Sequence, residues 1–440
     1  MIDIRRREEQ LHLCKKIIYM TLGIYMMMIS ICLAGQNDNL SKETSEKINL
    51  VWQPVIDEEN DLSKIDKISG VNVISPSWFV IDSEQGHIQN KIDINYLKNA
   101  REKGYKIWPL IHNDFNAEMT HKWLNDKKAK DYIIRQLIFY AHRYNIEGYN
   151  FDLENIYDED RDKLTEFMKE VTEALHQDEV IISMDITVAS DMENWSKCYD
   201  RKALGEYVDY LVLMAYDEHG RLSKTAGSVA SLNWVENGVK DLTEQVPSEK
   251  IILGIPLYMR LWEEDYEGNV SAKTLNMEDA NKLMKEKDKY PIWLKNEGQI
   301  YFAYHEDGKI YCVWKEDVNS LRLKVDLVKK YKLAGVASWR KGFETKDIWP
   351  MINMPNRVLG GIFLTIAASI WGGMFVAVKL VVDIIPPIPL VWFRYLVAFV
   401  VLSMVVIYEG INLKIDKKDI LLLISIGIIG HTISIVTQEY

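Results

Sequence analysis

From about residue 47 to residue 355 the chain alternates short apolar, β-rich runs with stretches that are apolar at helical spacing. That alternation is what most restricts the folds open to it. The runs are NLVWQPV (49–55), VNVISPSWFVI (71–81), YKIWPLIHN (105–113), EGYNFDLEN (147–155), EVIISMDITVA (179–189), VDYLVLMAYDEH (208–219), IILGIPLYMRLW (251–262) and AGVASWRKGF (334–343). Between them lie segments such as DRDKLTEFMKEVTEALH, amphipathic at the helical period. Eight strand candidates separated by helices predict an α/β fold, a (β/α)8 TIM barrel. An open doubly wound sheet is the alternative, but no glycine-rich phosphate loop follows the first run. The interval after the seventh run is longer. Residues 263–320 hold the helix-like TLNMEDANKLMKEK and the hairpin-like IYFAYHEDGKIYCVW, with Asp307-Gly308 at its turn, and read as a small α+β insertion after strand 7.

Composition separates this block from the two ends. The chain has 440 residues and a formal net charge of −11, and the middle block carries all of that acidic excess. A nucleic-acid partner is therefore not expected. Residues 1–46 read as a signal peptide or N-terminal membrane anchor plus linker. Arg5, Arg6, Arg7, Lys15 and Lys16 precede an uncharged apolar stretch at 17–34, and cleavage before Gly35 is open. Residues 356–440 change character again. Stretches 358–382, 389–408 and 420–437 predict about three transmembrane helices, interrupted at a PPIP turn and carrying Lys379 and Arg394 within them. The basic N-terminal flank places the barrel outside the cytoplasm and the protein at the membrane. Of the four cysteines only Cys198 and Cys312 fall in the middle block; no pair has metal-ligand spacing, and a disulfide is not expected.

The chemistry concentrates in Glu147-Gly148-Tyr149-Asn150-Phe151-Asp152-Leu153-Glu154. Side chains alternate faces along a strand, so Asn150, Asp152 and Glu154 point into the barrel while Tyr149, Phe151 and Leu153 meet the helices. Three polar groups on an inner face are costly to bury without a purpose. Two carboxylates roughly 6–7 Å apart by strand rise disfavour joint ionisation. One of them then holds a proton near neutral pH, as acid-catalysed glycoside cleavage requires.

This segment resembles the DxxDxDxE signature of glycoside hydrolase family 18, the chitinase-like barrels. LMAYDEHG (213–220) looks like that family's MxYD strand, LGIPLYMRLW its seventh strand and GVASWRKGFETKDIW its eighth. The wording GYNFDLEN and YDEHG is most similar to the spore cortex-lytic N-acetylglucosaminidase branch. Two positions depart from the signature: Glu147 replaces its first Asp and Asn150 its second. The resemblance implies a retaining, substrate-assisted hydrolase that cuts β-1,4 bonds after N-acetylglucosamine in peptidoglycan. It implies Glu154, Asp152 and Tyr216 as catalytic residues and Asn150, Met214, Asp217 and Trp339 as substrate-binding residues, with Asn155 and Asp217 as candidate supports. It implies no metal and no cofactor. Chitin oligomers are the alternative substrate, and a non-hydrolytic glycan-binding barrel the alternative function. The segment AASIWGGMFVAVKLVVDIIPPIPLVWFRYLVAFVVL (367–402) resembles the first helices of a drug/metabolite transporter superfamily module, cut short at Tyr440.

Overall fold

The computed structural model describes residues 47–54 and 67–352, all within one compact unit, Glu46–Pro355. The expected export segment and the apolar C-terminal stretches lie outside the described residues. Among the described residues no helix is long and apolar enough to cross a membrane.

The strands run in chain order from β1 (Ile48–Gln53) through β2 (Val73–Pro76), β3 (Phe79–Ile81), β4 (Ile88–Asn90), β5 (Lys106–Ile107), β6 (Leu110–His112), β7 (Gly148–Asp152), β8 (Ile181–Thr187), β9 (Tyr210–Met214) and β10 (Ile251–Pro256) to β16 (Gly335–Trp339). Two runs are each interrupted once: β2 and β3 share one at Ser77-Trp78, and β5 and β6 share another at Trp108-Pro109. Parallel pairing then goes completely round. β1 joins β2, β2 joins β5, β3 joins β6, and β6, β7, β8, β9, β10 and β16 follow in order before β16 returns to β1. Eight parallel staves closed in this way make a (β/α)8-type barrel. Closure is tight at Gly335, where an added Cβ would sit 1.9 Å from the Ile48 carbonyl oxygen.

Helices between successive staves cover the outside, as at Lys127–Tyr144, Arg161–Leu175 and Val318–Lys330. The sheet is therefore buried on both faces, and alternation divides its residues between two cores. Leu50, Trp52, Val73, Trp108, Leu110, Val212, Ile252 and Ala337 fill the barrel itself. Tyr149, Phe151, Met184, Ile186, Leu211 and Leu253 pack outward against the helices.

The insertion differs from its expected bounds. Its antiparallel five-stranded sheet starts at β11 (Tyr258–Glu264), continues through β12 (Val270–Asn276), β13 (Ile292–Leu294) and β14 (Gln299–Glu306), and ends with β15 (Lys309–Lys315). It thus begins and ends a few residues before the expected 263–320. The reason is that IILGIPLYMRLW is two strands in two sheets. The ladder stops at Pro256, and the Leu257 N–H donates to the Trp339 carbonyl at 2.7 Å before the chain turns into the second sheet. The expected helix is present at Met277–Glu286. So is the hairpin turn, with positive φ at both Asp307 (50°) and Gly308 (75°), as a two-residue turn of this twist requires. Cys198 and Cys312 are buried and unpaired.

Candidate active site

β7 delivers the acidic cluster to the C-terminal mouth of the barrel, the face on which such barrels carry chemistry. The strand ends at Asp152, so Glu154 sits just beyond it instead of on its ladder. Its position is fixed through the backbone. The Glu154 N–H donates to Asn113 Oδ1 at 3.1 Å, and Asn113 Nδ2 donates to the Glu154 carbonyl at 2.8 Å and to Thr120 Oγ1 at 2.9 Å. One residue earlier, the Tyr199 hydroxyl donates to the Leu153 carbonyl at 2.8 Å. This turn off the strand brings the Glu154 and Asp152 carboxyl groups into a direct hydrogen bond, closer than the strand spacing predicts.

Asn150 lies deeper and is fully buried. Its Oδ1 accepts from Trp52 Nε1 at 2.7 Å and from Ser75 Oγ at 3.3 Å; its Nδ2 reaches Ser183 Oγ at 3.2 Å and Asp185 Oδ1 at 2.6 Å. Every polar valence of this amide is committed to the protein. Asn150, expected among the substrate-binding residues, holds its neighbours from beneath the cleft in this structure. Glu147, at the opposite end of the strand, accepts from the Ile107 N–H and faces Arg101, remote from the mouth.

Asp185 completes the cluster. It projects inward from β8 with 1% of its surface exposed. Asp152, Glu154 and Asp185 all titrate above the ordinary carboxylate range, chiefly because burial disfavours the charged form. Asp152 is pushed up to about 7 by burial, with the Glu154 hydrogen bond opposing. Glu154 is raised well above its usual value by burial first, then by the charges of Asp152, Asp185 and Asp217. Asp185 is raised by burial and then by Asp152. Such a cluster retains protons at neutral pH, and the half-buried Glu154 is the member that opens onto the larger cavity.

Two cavities flank this carboxyl pair, one member lining each. One, of about 240 Å³, is lined by Glu154, Met214, Tyr216, Asp217, Trp195 and Trp234. The other, of about 180 Å³, is lined by Asp152, Trp339, Ser77, His112 and Phe115. Tyr216 and Trp339 both rest on the buried Trp52, with ring centroids 6.5 and 5.6 Å away. Gly254 leaves room for Tyr216, whose ring carbon would lie 3.3 Å from an added Cβ. Asp217 accepts from the Tyr258 hydroxyl at 2.8 Å and from Arg260 Nη2 at 2.7 Å, which ties the loop after β9 to the first insertion strand. Asn155 does not line either cavity; its Nδ2 donates to the Phe115 carbonyl at 2.8 Å and steadies the rim.

Six of the seven expected site residues thus surround one cleft, and Asn150 lies beneath it. The sequence reading missed Asp185, Asn113, Trp52, His112, Tyr258 and Arg260. Among the described residues no group of His, Cys, Asp and Glu could hold a metal ion.

Comparison with known proteins matches this geometry to a family. The model of "Glycosyl hydrolases family 18" matches residues 9–343, and that of the "EamA-like transporter family" matches residues 358–440. The uncharacterized glycosylase YvbX of Bacillus subtilis is 30% identical over 292 residues, spanning 64% of this chain and 84% of that protein. The cortical fragment-lytic enzyme of Bacillus subtilis is 25% identical over 252 residues, 56% of this chain and 58% of its own length. A chitinase from Chromobacterium violaceum shares the fold with a TM-score of 0.64 at 22% identity, over 70% of this chain and 98% of that one.

Proposed function

The chain belongs to the glycosyl hydrolases family 18, and from that premise we propose that it is a retaining glycosidase cleaving β-1,4 bonds after N-acetylglucosamine in peptidoglycan. The observation that supports the reading most is the interacting Asp152–Glu154 carboxyl pair at the end of β7, its titration raised by burial and one member lining each of two cavities. Glu154 gives its proton to the leaving glycosidic oxygen. The substrate's own 2-acetamido oxygen attacks the anomeric carbon as that bond breaks, forming an oxazolinium ion. Asp152 turns to the acetamido N–H and offsets the developing positive charge. The Tyr216 hydroxyl, kept protonated by burial, donates to the acetamido oxygen. Trp339 forms the floor under the reacting sugar, with Met214 beside it and Asp217 at the rim. Glu154, now ionised, takes a proton from the incoming water, which attacks the anomeric carbon from the face the leaving group left; the bond to the acetamido oxygen breaks, the acetamido group is restored and the configuration is retained.

Below this catalytic set lies Asp185, the third carboxylate. Its proximity raises the cost of ionising Glu154 and so helps keep the acid loaded. The likeness to a cortical fragment-lytic enzyme favours peptidoglycan over chitin. Residues 1–46 act in this reading as export signal or anchor, residues 47–355 as the catalytic barrel, and residues 356–440 as a membrane anchor that leaves the barrel outside the cytoplasm.

Product mass spectrometry, with proton NMR of the freshly released anomer, tests the proposal. The full chain, solubilised in detergent, is incubated separately with peptidoglycan strands and chitin oligomers. Products with N-acetylglucosamine at the reducing end, released first as the β anomer, support it. Cleavage of chitin alone, or release of the α anomer, overturns it.

A further inference from the structure

A third cavity, of about 590 Å³, opens beside the cleft between the loop after β9 and the turn joining β11 to β12. Its lining includes Arg221 and Lys224 on one side and Gly268 to Ala272 on the other, and contains no carboxylate. Both cations are exposed, and among the described residues neither has an ion-pair or hydrogen-bond partner, so both are free to meet a ligand. The turn's own carboxylates stand outside the lining: Asn269 Nδ2 donates to Asp265 at 2.9 Å and to Glu267 at 3.4 Å, bonds made within the turn.

The loop that presents these cations is pinned. The Glu218 N–H donates to the Val229 carbonyl at 2.9 Å and the His219 N–H to that of Ser228 at 3.2 Å, forming a narrow neck. Trp262 Nε1 on β11 donates to the Gly227 carbonyl at 2.8 Å, and Ser228 Oγ to Gln299 Oε1 on β14 at 2.5 Å. The Ser223 N–H closes the tip onto the Gly220 carbonyl at 2.9 Å. A fixed loop holds its charges in place before a ligand arrives, which lowers the ordering cost of binding.

The same loop reaches the catalytic cleft. Asp217 and Glu218 line the cavity of Glu154, and Arg221 follows four positions on. From Arg260, which holds Asp217, the paired strands run on to Trp262–Ala272 and Glu264–Val270. At about 3.4 Å per residue the cavity wall lies roughly 7–14 Å beyond Arg260. A glycan strand leaving the cleft in that direction passes over it.

We propose that Arg221 and Lys224 form an anion subsite for the carboxylates borne by alternate sugars of a peptidoglycan strand, its lactyl and peptide substituents. The inference rests on the peptidoglycan reading above and adds a reason for it, since chitin carries no such charge. The cations are placed for side groups of the strand and leave the pyranose rings to the cleft.

The test compares kcat/KM of the full chain and its Arg221→Ala/Lys224→Ala variant on two substrates. One is native peptidoglycan strands; the other is the same strands with carboxylates capped as methylamides. The ratio of native to capped kcat/KM should fall about tenfold in the variant, the scale of two partly exposed ion pairs. It should fall in the wild type too as salt is raised. Melting temperatures of both proteins check that the loop change leaves the fold intact. An unchanged ratio in the variant overturns the subsite while leaving the peptidoglycan reading in place. Failure of the wild type to cut either strand overturns both.

Discussion

Asp185→Asn isolates the electrostatic part of the proposed mechanism, because an amide keeps the acceptor for Asn150 Nδ2 and removes only the charge. The pairing of Phe151 with Met184, extended by one residue, sets Asp152 beside Asp185 on neighbouring strands. Strands about 4.8 Å apart put the two carboxyl groups roughly 5–6 Å from each other. At an effective dielectric constant near 20 this Asp152–Asp185 repulsion is about 3 kcal/mol, and solvent in the open cleft reduces it to about 2 kcal/mol. The sign follows from the proton donor's role. Glu154 must be protonated to act, so activity falls as pH rises through its pKa, and loss of the Asp185 charge lowers that pKa. The alkaline limb of kcat/KM against pH should therefore move to lower pH. Stability gives an independent readout. A carboxyl whose folded pKa is raised favours the fold below its unfolded value, near 4, and that contribution is lost as pH rises through the folded value. The variant should match the wild type at pH 4 and melt higher on the alkaline side. For about 2 kcal/mol in a barrel of this size the gap is roughly 3 °C. An alkaline limb that stays put, together with a melting difference constant from pH 4 to 9, would refute the coupling.

Three further outcomes follow from the site. Glu154→Gln should lose about 10²–10⁴-fold in turnover while its dissociation constant for glycan, read by calorimetry, changes little. Asn113→Ala removes both side-chain bonds to the Glu154 backbone and should cost about 1–3 kcal/mol in denaturant titration; kcat should drop more than KM rises, because the loss is in aim. A chain ending at Pro355 keeps the compact unit that contains every cleft residue and should retain full specific activity on soluble strands.

What the sequence makes legible here is set by the range over which its physics acts. Period-two alternation is local, so it sorts Asn150 from Tyr149 and Phe151 correctly. The same rule applied to EVIISMDITVA places Ser183 and Asp185 on the inner face. Alternation says which face a residue takes and nothing about depth, however. Asn150 and Asp152 share a face, yet one is sealed beneath Trp52 and the other opens on the cleft. Nor does it say where a strand stops. Glu154 leaves the ladder because Asn113 captures its backbone from the next stave, 41 residues away in the chain. A long apolar run misleads for a related reason: IILGIPLY carries no charge before Met259, and only the competition between two sheets for Pro256 and Tyr258 divides it. Arg260 shows the limit most clearly. It is a charged residue in an apolar run, and its partner Asp217 lies 43 residues earlier, across a junction that exists only once the insertion has folded against the barrel. The acid itself could be read from one strand, whereas the groups that aim it and hold its proton come from neighbouring staves and the insertion.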